Sequence, residues 1–405
     1  MINNAYKFLL MPILMKIAHV CSEYNPAISG VGQVVEELAK RQVAQGYEVC
    51  VYTPDWDKKQ RLKEREEVID GVYIHRCFHI ARIANFATIF PSVFPLLIKG
   101  KFDIIHSHVF GHLHFVLAAL AAKLSGAKHV HTTHCPWTDS YRSSLGKLCT
   151  AVSYNIFSRF ALQFTDKIIA ITPWELEFIK KYGSKESQII NIPNGMSEQF
   201  FQRIKNNDFK KKNRIKSTLV LFFGRLNVTK APDRFVEIAK LVLKERKDVT
   251  FIVRGPDEGM REAVKDLIGN EKRIILMPET RDREEILKMY QAADIFVMPS
   301  YREGLPLTLF EAMASGLPVV ASPVNGVPYE MKDKENGFLV NYGENNLFAK
   351  RIMQLLDNKK LRQKISRNNL EKAKNYRWDE IAEKTENLYK EGSLVRIWTN
   401  HLKFI

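Results

Sequence analysis

Short apolar segments alternate with amphipathic segments along most of the chain. Residues 16–20 (KIAHV) form an apolar run, and residues 34–45 carry apolar side chains at helical spacing. Gly46 follows this second segment and is a common helix terminator. The next run, 47–54 (YEVCVYTP), predicts another strand. The order strand, glycine-containing loop, helix, strand predicts a βαβ unit.

The same alternation continues to about residue 392. Helical spacing, including an alanine-rich segment that ends at Ser125-Gly126, separates the apolar runs that predict strands. These runs are 103–109, 128–134, 166–172, 188–195, 217–224, 248–255, 273–277, 294–300 and 317–322. Strands that alternate with helices predict an α/β protein with parallel sheets covered by helices on both faces.

The length of 405 residues exceeds what one hydrophobic core usually organises, so two domains are expected. Residues 201–217 are basic, polar and poor in large apolar side chains, which makes them the best linker candidate. The predicted organisation is an N-terminal Rossmann-like domain over 1–200, the linker, a C-terminal Rossmann-like domain over 218–375, and a final helix with a tail over 376–405.

The formal net charge of +16 calls for an acidic partner. The candidates are nucleic acid, an anionic membrane surface and a phosphorylated small ligand, although a solvated basic surface is an equally good explanation. No helix-turn-helix, zinc finger or RNA-binding signature is present, so nucleic acid is not expected. Residues 78–102 are apolar and aromatic with basic flanks. They predict a lipid-contacting segment, the edge of an apolar acceptor groove, or a buried helix pair.

The sequence contains no apolar run of the length that spans a bilayer. Residues 1–14 include a short apolar stretch, but Pro12 interrupts it and no small-residue cleavage site follows. Met15 is therefore a candidate for the functional start, with 1–14 as a loose extension. The five cysteines are scattered without metal-binding spacing. We expect reduced thiols and a cytoplasmic protein that contacts the inner face of the membrane peripherally.

The strongest motif runs from Glu303 to Glu311 (EGLPLTLFE) and follows the buried strand 294–300. Ligands of Rossmann-like domains bind at the carboxyl ends of such strands. The backbone N–H groups of Gly304, Leu305 and Leu307 would then open a helix as an anion site. Glu303 is expected at the rim and Glu311 one turn inside the helix. The alternative is a capping residue and a solvated acid.

A second motif, residues 223–230 (FGRLNVTK), places Arg225 and Lys230 in the loop after another buried strand. Arginine grips phosphate with two donors and lysine adds a point charge, so together they suit a pyrophosphate. Two exposed loop charges are the alternative. A third loop carries Gly30 and Gly32 directly before a helix. No acidic residue closes the second strand, which weakens a classical NAD interpretation.

Histidines are concentrated within a short part of the N-terminal half, which suggests zinc at first sight. The dense group is His106, His108, His112, His114, His129, His131 and His134. Their spacing is that of strand alternation, and no HExxH motif or supporting carboxylate accompanies them, so no metal is expected. His134 ends a predicted strand beside Cys135-Pro136 and is the best candidate to face a ligand.

Taken together, these segments resemble the family-four glycosyltransferases of the GT-B fold over nearly the whole chain. The resemblance rests on SGVGQVVEELA, ITPWELEFIKKYGSKESQIINIPNGMSEQFF, FFGRLNVTKAPDRFVEIAKLV, FIVRGPDEG and the paired glutamates Glu303 and Glu311. It implies two Rossmann-like domains that face a cleft, and a last helix around Trp378 that crosses back to the N-terminal domain. Arg254 is a departure, because relatives usually end that strand with an apolar residue.

The resemblance also implies roles for the residues of the motifs. Arg225 and Lys230 would neutralise the donor diphosphate, and Glu311 would hold the ribose hydroxyls. Glu303, with the amides of 304–307, would hold the donor sugar and its phosphate. His134 matches a histidine near the sugar, although His131 can be aligned in its place.

Two further expectations follow from the same resemblance. Gly30 and Gly32 would let the N-terminal loop approach the donor phosphate. The reaction would be transfer of a hexose from a UDP- or GDP-linked sugar to a hydroxyl acceptor with retention at the anomeric carbon. A lipid-linked or polysaccharide acceptor is expected, and no cofactor or metal is required.

Two rival functions stay open on the sequence alone. One is a basic protein that binds or modifies DNA, and the other is a sugar-nucleotide epimerase of the GT-B fold. The paired glutamates argue against the epimerase. The sequence leaves the donor sugar and base, the acceptor and the linkage unspecified.

Overall fold

The computed structural model describes residues 15–27, 29–57, 59–83, 87–137 and 143–391. They form two compact units. The first takes the described residues up to 171, residues 175–192 and the described residues from 382 onward, and the second takes 172–174 and 193–381. Within the described residues, no helix combines the length and apolar character that a bilayer crossing requires. The predicted extension 1–14 lies outside the described residues.

The strands of the first unit mostly follow the predicted apolar runs, but those between Glu66 and Ile89 were not predicted. They are β1 (Lys16–Val20), β2 (Glu48–Pro54), β3 (Glu66–Ile69), β4 (Val72–Cys77), β5 (Ala81–Ile83), β6 (Ala87–Ile89), β7 (Ile104–His108), β8 (Lys128–Thr132), β9 (Lys167–Ala170) and β10 (Ile189–Asn191). Apart from β5 and β6, they form an eight-stranded sheet in the order β10-β9-β8-β7-β1-β2-β4-β3. All pairs in this sheet are parallel except β3 with β4.

Helices cover this sheet because their apolar stripes need a buried surface. They are α1 (Gly30–Ala44), α2 (Val93–Lys99), α3 (Leu113–Ser125), α4 (Ser144–Val152), α5 (Arg159–Leu162) and α6 (Leu176–Lys181). Ser29 caps α1 by accepting the N–H of Gly32 at 2.9 Å. Helix α3 ends at Gly126, whose φ of 80° lies in the left-handed region that favours glycine.

The second unit contains a six-stranded parallel sheet. Its strands are β11 (Thr218–Phe223), β12 (Val249–Arg254), β13 (Ile274–Leu276), β14 (Ile295–Met298), β15 (Val319–Ala321) and β16 (Gly337–Leu339). The spatial order is β13-β12-β11-β14-β15-β16, which is the dinucleotide-binding Rossmann order. The direction of winding reverses between β11 and β14. Both strands are apolar and buried over most of their length, as parallel strands with two covered faces must be.

The helices of the second unit are α7 (Phe209–Lys212), α8 (Pro232–Glu245), α9 (Arg261–Ile268), α10 (Arg283–Ala292), α11 (Leu307–Ala314), α12 (Val327–Glu330), α13 (Asn345–Asp357) and α14 (Lys359–Ala373). Phe235, Phe251 and Phe348 lie at the centre of the core of this unit. The predicted linker segment 201–217 contains α7, where Lys210 pairs with Asp294 at 2.8 Å. This segment therefore packs on its own unit.

The last helix, α15 (Trp378–Lys390), returns the chain to the first unit as predicted. The Tyr389 hydroxyl lies 2.6 Å from Nδ1 of His106 on β7. Lys128 donates to the backbone carbonyl of Leu388 at 2.5 Å. These contacts explain why residues from 382 onward belong to a unit whose sheet is formed far earlier in the sequence.

The described part of the apolar segment 78–102 has an exposed and a buried portion. Phe78 and Ile80 are 44% and 63% exposed, whereas the later residues include a buried cluster. Phe90 is 2% exposed and packs with Val93 and Leu97 of α2 in a core of the first unit. Lipid contact, one of the three interpretations of this segment, does not extend to Phe90, because its ring is already buried. Helix α2 packs against α3, in agreement with the alternative that this segment is buried.

Candidate functional site

The site in the second unit lies where the winding of its sheet reverses. Loops that leave the carboxyl ends of β11 and β14 diverge there, and the gap between them is the usual ligand position in such sheets. The loop after β11 carries Arg225 and Lys230, and the loop after β14 carries Glu303. The two predicted motifs are thus neighbours in the fold, although far apart in sequence.

Asn227 organises the loop after β11. Its Oδ1 accepts the backbone N–H groups of Thr229 and Lys230, each at 3.1 Å, in a local turn. Its Nδ2 donates to Glu258 at 2.7 Å. Arg225 is about half exposed and pairs with the same Glu258 at 3.1 Å. Arg225 is therefore held in place by an exposed ion pair, which is weak and can be exchanged for a ligand anion.

Lys230 forms an ion pair with Glu303, and this pair joins the two loops. Glu303 is 2% exposed, and its second carboxylate oxygen accepts the hydroxyl of Ser300 at 2.7 Å. Burial lowers the pKa of Lys230, while the Glu303 charge opposes that effect. Charges in such a desolvated position act more strongly on a ligand than charges in water do.

Helix α11 begins at Leu307, after Gly304, Leu305 and the N-cap Pro306, so its first N–H groups open at this site. Glu311 lies in the same helix and is 9% exposed. Burial raises the pKa of Glu311 to about 7. Within the described part of the chain, Oε2 of Glu311 makes no hydrogen bond of good geometry, and Tyr290 is the hydroxyl that interacts with this carboxylate. A buried carboxylate oxygen without a well-formed hydrogen bond is costly unless a ligand or water completes it.

In the first unit the equivalent reversal lies between β1 and β7. The glycine loop follows β1, and Gly30 is exposed with open space where a side chain would stand. A Cβ on Gly32 would lie 3.0 Å from the carbonyl oxygen of Glu23, so the backbone passes closely there. The structure thus places Gly30 where a ligand can approach and Gly32 inside the turn.

His134 lies in a strained loop after β8. Its φ is 58° and that of Cys135 is 53°, and such left-handed geometry costs side-chain-bearing residues about 1–3 kcal/mol each. Glu175, fully buried, holds the loop by accepting the N–H of Cys135 at 2.7 Å and the indole N–H of Trp137 at 2.9 Å. It also accepts the Thr133 hydroxyl at 2.6 Å.

A buried chain of side chains connects His134 to helix α1. Nε2 of His19 lies 2.8 Å from Oε1 of Gln42, Nδ1 of His19 lies 3.1 Å from His108, and His108 lies 3.1 Å from Nε2 of His134. Because Gln42 presents an oxygen, His19 must donate from Nε2, and each following ring must donate to the one before it. Nδ1 of His134 therefore carries a lone pair and acts as an acceptor.

Burial lowers the pKa of His134 to about 3 and that of His19 to about 4. These rings are neutral at physiological pH, so His134 is suited to accept a hydrogen bond and not to supply a proton. His131, the alternative in the alignment, is fully buried and stacks on Phe115 with ring centroids 3.8 Å apart. Because His131 is buried in this packing, His134 is the better candidate to contact a ligand.

Ring nitrogens of His19, His106 and His108 lie within 4.8 Å of one another, a spacing that a metal ion can use. Each nitrogen already has a hydrogen-bond partner, however. His106 contacts Tyr389 at 2.6 Å and Thr132 at 2.7 Å. Because hydrogen bonds satisfy these rings, we assign no metal role to them.

Arg254, the departure noted in the sequence, is buried at the end of β12. It donates to the carbonyl of Pro278 at 2.8 Å and to Glu285 at 2.9 Å. The charge is therefore paired and supports the neighbouring loop.

Sequence reasoning missed three residues that position the site: Glu258, Ser300 and Glu175. Asn227, between the two cations, is a typical turn residue and gave a local signal. Glu175 has no such signal, because its partners are brought to it only by the packing of β8, β9 and α6.

Comparison with known families gives two matches that together span most of the chain. The family described as "Glycosyltransferase Family 4" matches residues 28–200, and "Glycosyl transferases group 1" matches residues 204–372. The first ends and the second begins close to the division between the two units.

Individual relatives agree with these matches. The chain is 31% identical over 299 residues to the UDP-Gal:alpha-D-GlcNAc-diphosphoundecaprenol alpha-1,3-galactosyltransferase of Escherichia coli, covering 70% of this chain and 74% of that protein. It is 27% identical over 320 residues to the D-inositol 3-phosphate glycosyltransferase of Corynebacterium diphtheriae, covering 75% and 74%. Among solved structures, Anabaena HepE in complex with UDP has a TM-score of 0.75 at 18% identity, covering 93% of this chain and 100% of that chain.

Proposed function

Because the chain belongs to the family-four glycosyltransferases of the GT-B fold, we propose that it moves a hexose from a UDP- or GDP-linked sugar to a hydroxyl acceptor with retention at the anomeric carbon. One observation carries the proposal. At the winding reversal of the second sheet, a cationic loop meets a helix that holds a buried carboxylate, Glu311. A diphosphate attached to a hydroxyl-rich ribose matches both features.

Arg225 and Lys230 neutralise the donor diphosphate. Each cation is held by a carboxylate, Glu258 for Arg225 and Glu303 for Lys230, which defines its position. Preorganised positive charge at a leaving group is commonly the largest contribution to catalysis of such a reaction. The N–H groups at the start of α11, beginning near Gly304, add partial positive charge for the same anion.

Glu311 accepts the ribose hydroxyls through its carboxylate, and Glu303 holds the sugar end of the donor. His134 is neutral and offers Nδ1 as an acceptor, so it orients a sugar hydroxyl and does not act as a proton donor. Gly30 leaves room for the donor phosphate at the N-terminus of α1.

In the proposed transfer reaction, the bonds broken and formed balance without a metal or a cofactor. The bond from the anomeric carbon to the diphosphate oxygen breaks, and the acceptor oxygen bonds to that carbon on the same face. The acceptor proton passes to the departing phosphate oxygen. The two cations supply the electrophilic assistance that a divalent ion supplies in other enzymes.

The names of similar proteins support a narrower choice. The Escherichia coli relative uses UDP-Gal and a diphosphoundecaprenol-linked acceptor, and the Anabaena structure contains UDP. We therefore propose a uridine nucleotide as the first donor to test and a lipid-linked acceptor at a membrane surface. The net charge of +16 suits an acceptor that carries a diphosphate.

The direct test is transfer from UDP-glucose, UDP-galactose, UDP-N-acetylglucosamine and GDP-mannose to a polyprenyl-diphosphate-linked sugar. NMR of the product reports the anomeric configuration. A product with the configuration of the donor supports the proposal. An inverted product contradicts retention, and turnover of the donor to another nucleotide sugar without acceptor favours the epimerase.

The raised pKa of Glu311 predicts a pH-dependent donor affinity. Ribose hydroxyls donate to the ionised carboxylate, so binding competes with protonation below pH 7. The dissociation constant of a UDP-sugar should be about tenfold larger at pH 6 than at pH 8, as expected for a group with a pKa near 7. Calorimetric titration across this range measures it.

Glu311→Gln should bind the donor weakly and without this pH dependence. Glu262→Gln, on the exposed surface of α9, is the matched control and should behave like the wild type. An unchanged pH profile in Glu311→Gln would remove the ribose role of Glu311.

A further inference from the structure

A helical rod in the first unit exposes an apolar face. The rod consists of α4, a π-helical turn over Ser153–Ser158 and α5. Exposed large apolar side chains follow one another along it at spacings of three, four or one residues. They are Leu145 (70% exposed), Leu148 (61%), Val152 (38%), Ile156 (60%), Phe157 (51%) and Phe160 (44%). We call this set the apolar face of the rod.

The opposite side of the rod packs on its own unit. Tyr154 is 4% exposed, Ser158 and Ala161 are fully buried, and Leu162 is 2% exposed. Tyr154 donates to the carbonyl of Pro136 at 3.0 Å. The rod is therefore attached to its unit by this buried side. Its apolar face lies on the other side and stays exposed in the folded chain. Contiguous exposed apolar surface of this kind marks an interaction site.

The charges of the rod indicate which partner fits. Lys147 and Arg159 are its only ionisable charged side chains at neutral pH, and both are basic and exposed. No acidic residue occurs from 143 to 165. A second copy of the chain would place these cations against an identical basic face, which is unfavourable. An anionic lipid surface offers phosphate groups to the cations and hydrocarbon to the leucine and phenylalanine side chains.

We propose that the apolar face of the rod is the surface through which this protein lies on an anionic bilayer. The proposal rests on the proposed lipid-linked acceptor, and it assigns the contact to α4 and α5 in place of Phe90. A helix that lies in the interface plane inserts one apolar side and keeps its cations at the headgroups. The rod follows the His134 loop closely in sequence and belongs to the same unit.

The π-helical turn supports this geometry. A π-helical turn contains more residues than an α-helical turn and shifts the side chains that follow around the helix axis. Here Ile156 and Phe157 lie within the turn, and both are exposed. The turn therefore widens the apolar face at its centre while Tyr154 and Ser158 keep their buried positions.

The experiment is flotation of the full-length protein with vesicles of phosphatidylcholine alone or with phosphatidylglycerol, at low and high salt. Wild-type protein should bind the anionic vesicles, and binding should weaken with salt because the cations contribute. The triple variant Leu148→Ser, Ile156→Ser, Phe160→Ser should bind more than tenfold less at both salt concentrations. The double variant Lys147→Glu, Arg159→Glu should lose mainly the salt-sensitive part of the vesicle binding.

The matched control is Val68→Ser with Tyr73→Ser. These two side chains are 60% and 55% exposed and lie on β3 and β4 of the first unit, away from the rod in sequence. This variant should bind vesicles like the wild type. Binding of the triple variant equal to that of the control would overturn the proposal. A shift from dimer to monomer in the triple variant, without loss of vesicle binding, would assign the face to a second copy.

Two readouts separate this proposal from the proposed function. Donor binding, followed by thermal shift with a UDP-sugar, should be unchanged in the triple variant, because its substitutions are on the surface. Transfer to an acceptor in vesicles should fall, whereas transfer to a detergent-dispersed acceptor should persist. A protein that binds vesicles through the rod but binds no nucleotide sugar would refute the enzymatic function alone.

Discussion

Replacing Lys230 with alanine should slow sugar transfer by roughly 100- to 1,000-fold, the loss typical when one preorganised leaving-group contact is removed. The charge that is lost is partly buried and lies at the winding reversal of the sheet, paired with the buried Glu303. Steady-state kinetics with saturating acceptor should show the loss mainly in kcat. Arg225→Ala should also slow transfer strongly, because the same diphosphate loses its second cation.

Lys230→Gln is the informative companion variant, since its amide can still donate to Glu303 while carrying no charge. It should be about as slow as Lys230→Ala, with a melting temperature closer to that of the wild type. Turnover like that of the wild type in both Lys230→Ala and Arg225→Ala would remove the diphosphate assignment.

Glu175→Ala should destabilise the first unit by at least about 3 kcal/mol. The carboxylate accepts from Thr133, Cys135, Trp137 and Ile171, and each buried donor left without a partner costs about 1–3 kcal/mol. Denaturant unfolding measures the loss. Transfer should fall as well, since the strained His134 loop loses its anchor.

Glu177→Ala is the matched control because Glu177 lies two positions later and is exposed. It should change the unfolding free energy by no more than about 0.5 kcal/mol, as most surface substitutions do. A loss in Glu175→Ala as small as that in the control would show that the loop holds its conformation without the carboxylate.

Much of the fold could be predicted because apolar periodicity and terminators agree along the chain. The run LVLFF followed by glycine correctly predicted β11, and the spacing from Pro232 onward correctly predicted α8. The same agreement placed the Glu303 motif between β14 and α11. Local signals were sufficient there because a buried parallel strand and an amphipathic helix have different periods.

The positioning residues could not be predicted, because their partners are distant in sequence. Glu175 has no local sequence signal, yet it anchors a loop that begins at Thr133. The apolar segment 78–102 shows the opposite case. Its pattern left lipid contact and burial open, and the structure buries Phe90 while it leaves Phe78 and Ile80 exposed. Periodicity shows that a face is apolar and does not show which face the rest of the fold covers.

The resemblance recognised from the motifs is confirmed by the matched families, whereas the individual site roles stay predictions. Arg225, Lys230 and Glu303 converge through the order of strands β11 and β14, which the sequence alone does not fix. The carboxylate pairs of the two cations are also new information. The ion pairs with Glu258 and Glu303 hold the side chains of Arg225 and Lys230 in defined positions.

Calorimetric titration of a UDP-sugar into the wild type and into the double variant Lys230→Ala, Glu311→Ala tests the central claim most directly. The account predicts saturable binding at one site per chain in the wild type, without added divalent metal. Because the double variant loses both the diphosphate contact and the ribose contact, its affinity should fall at least 100-fold. Equal affinity in the two proteins, or no binding of UDP-, GDP- or ADP-sugars to the wild type, would contradict it.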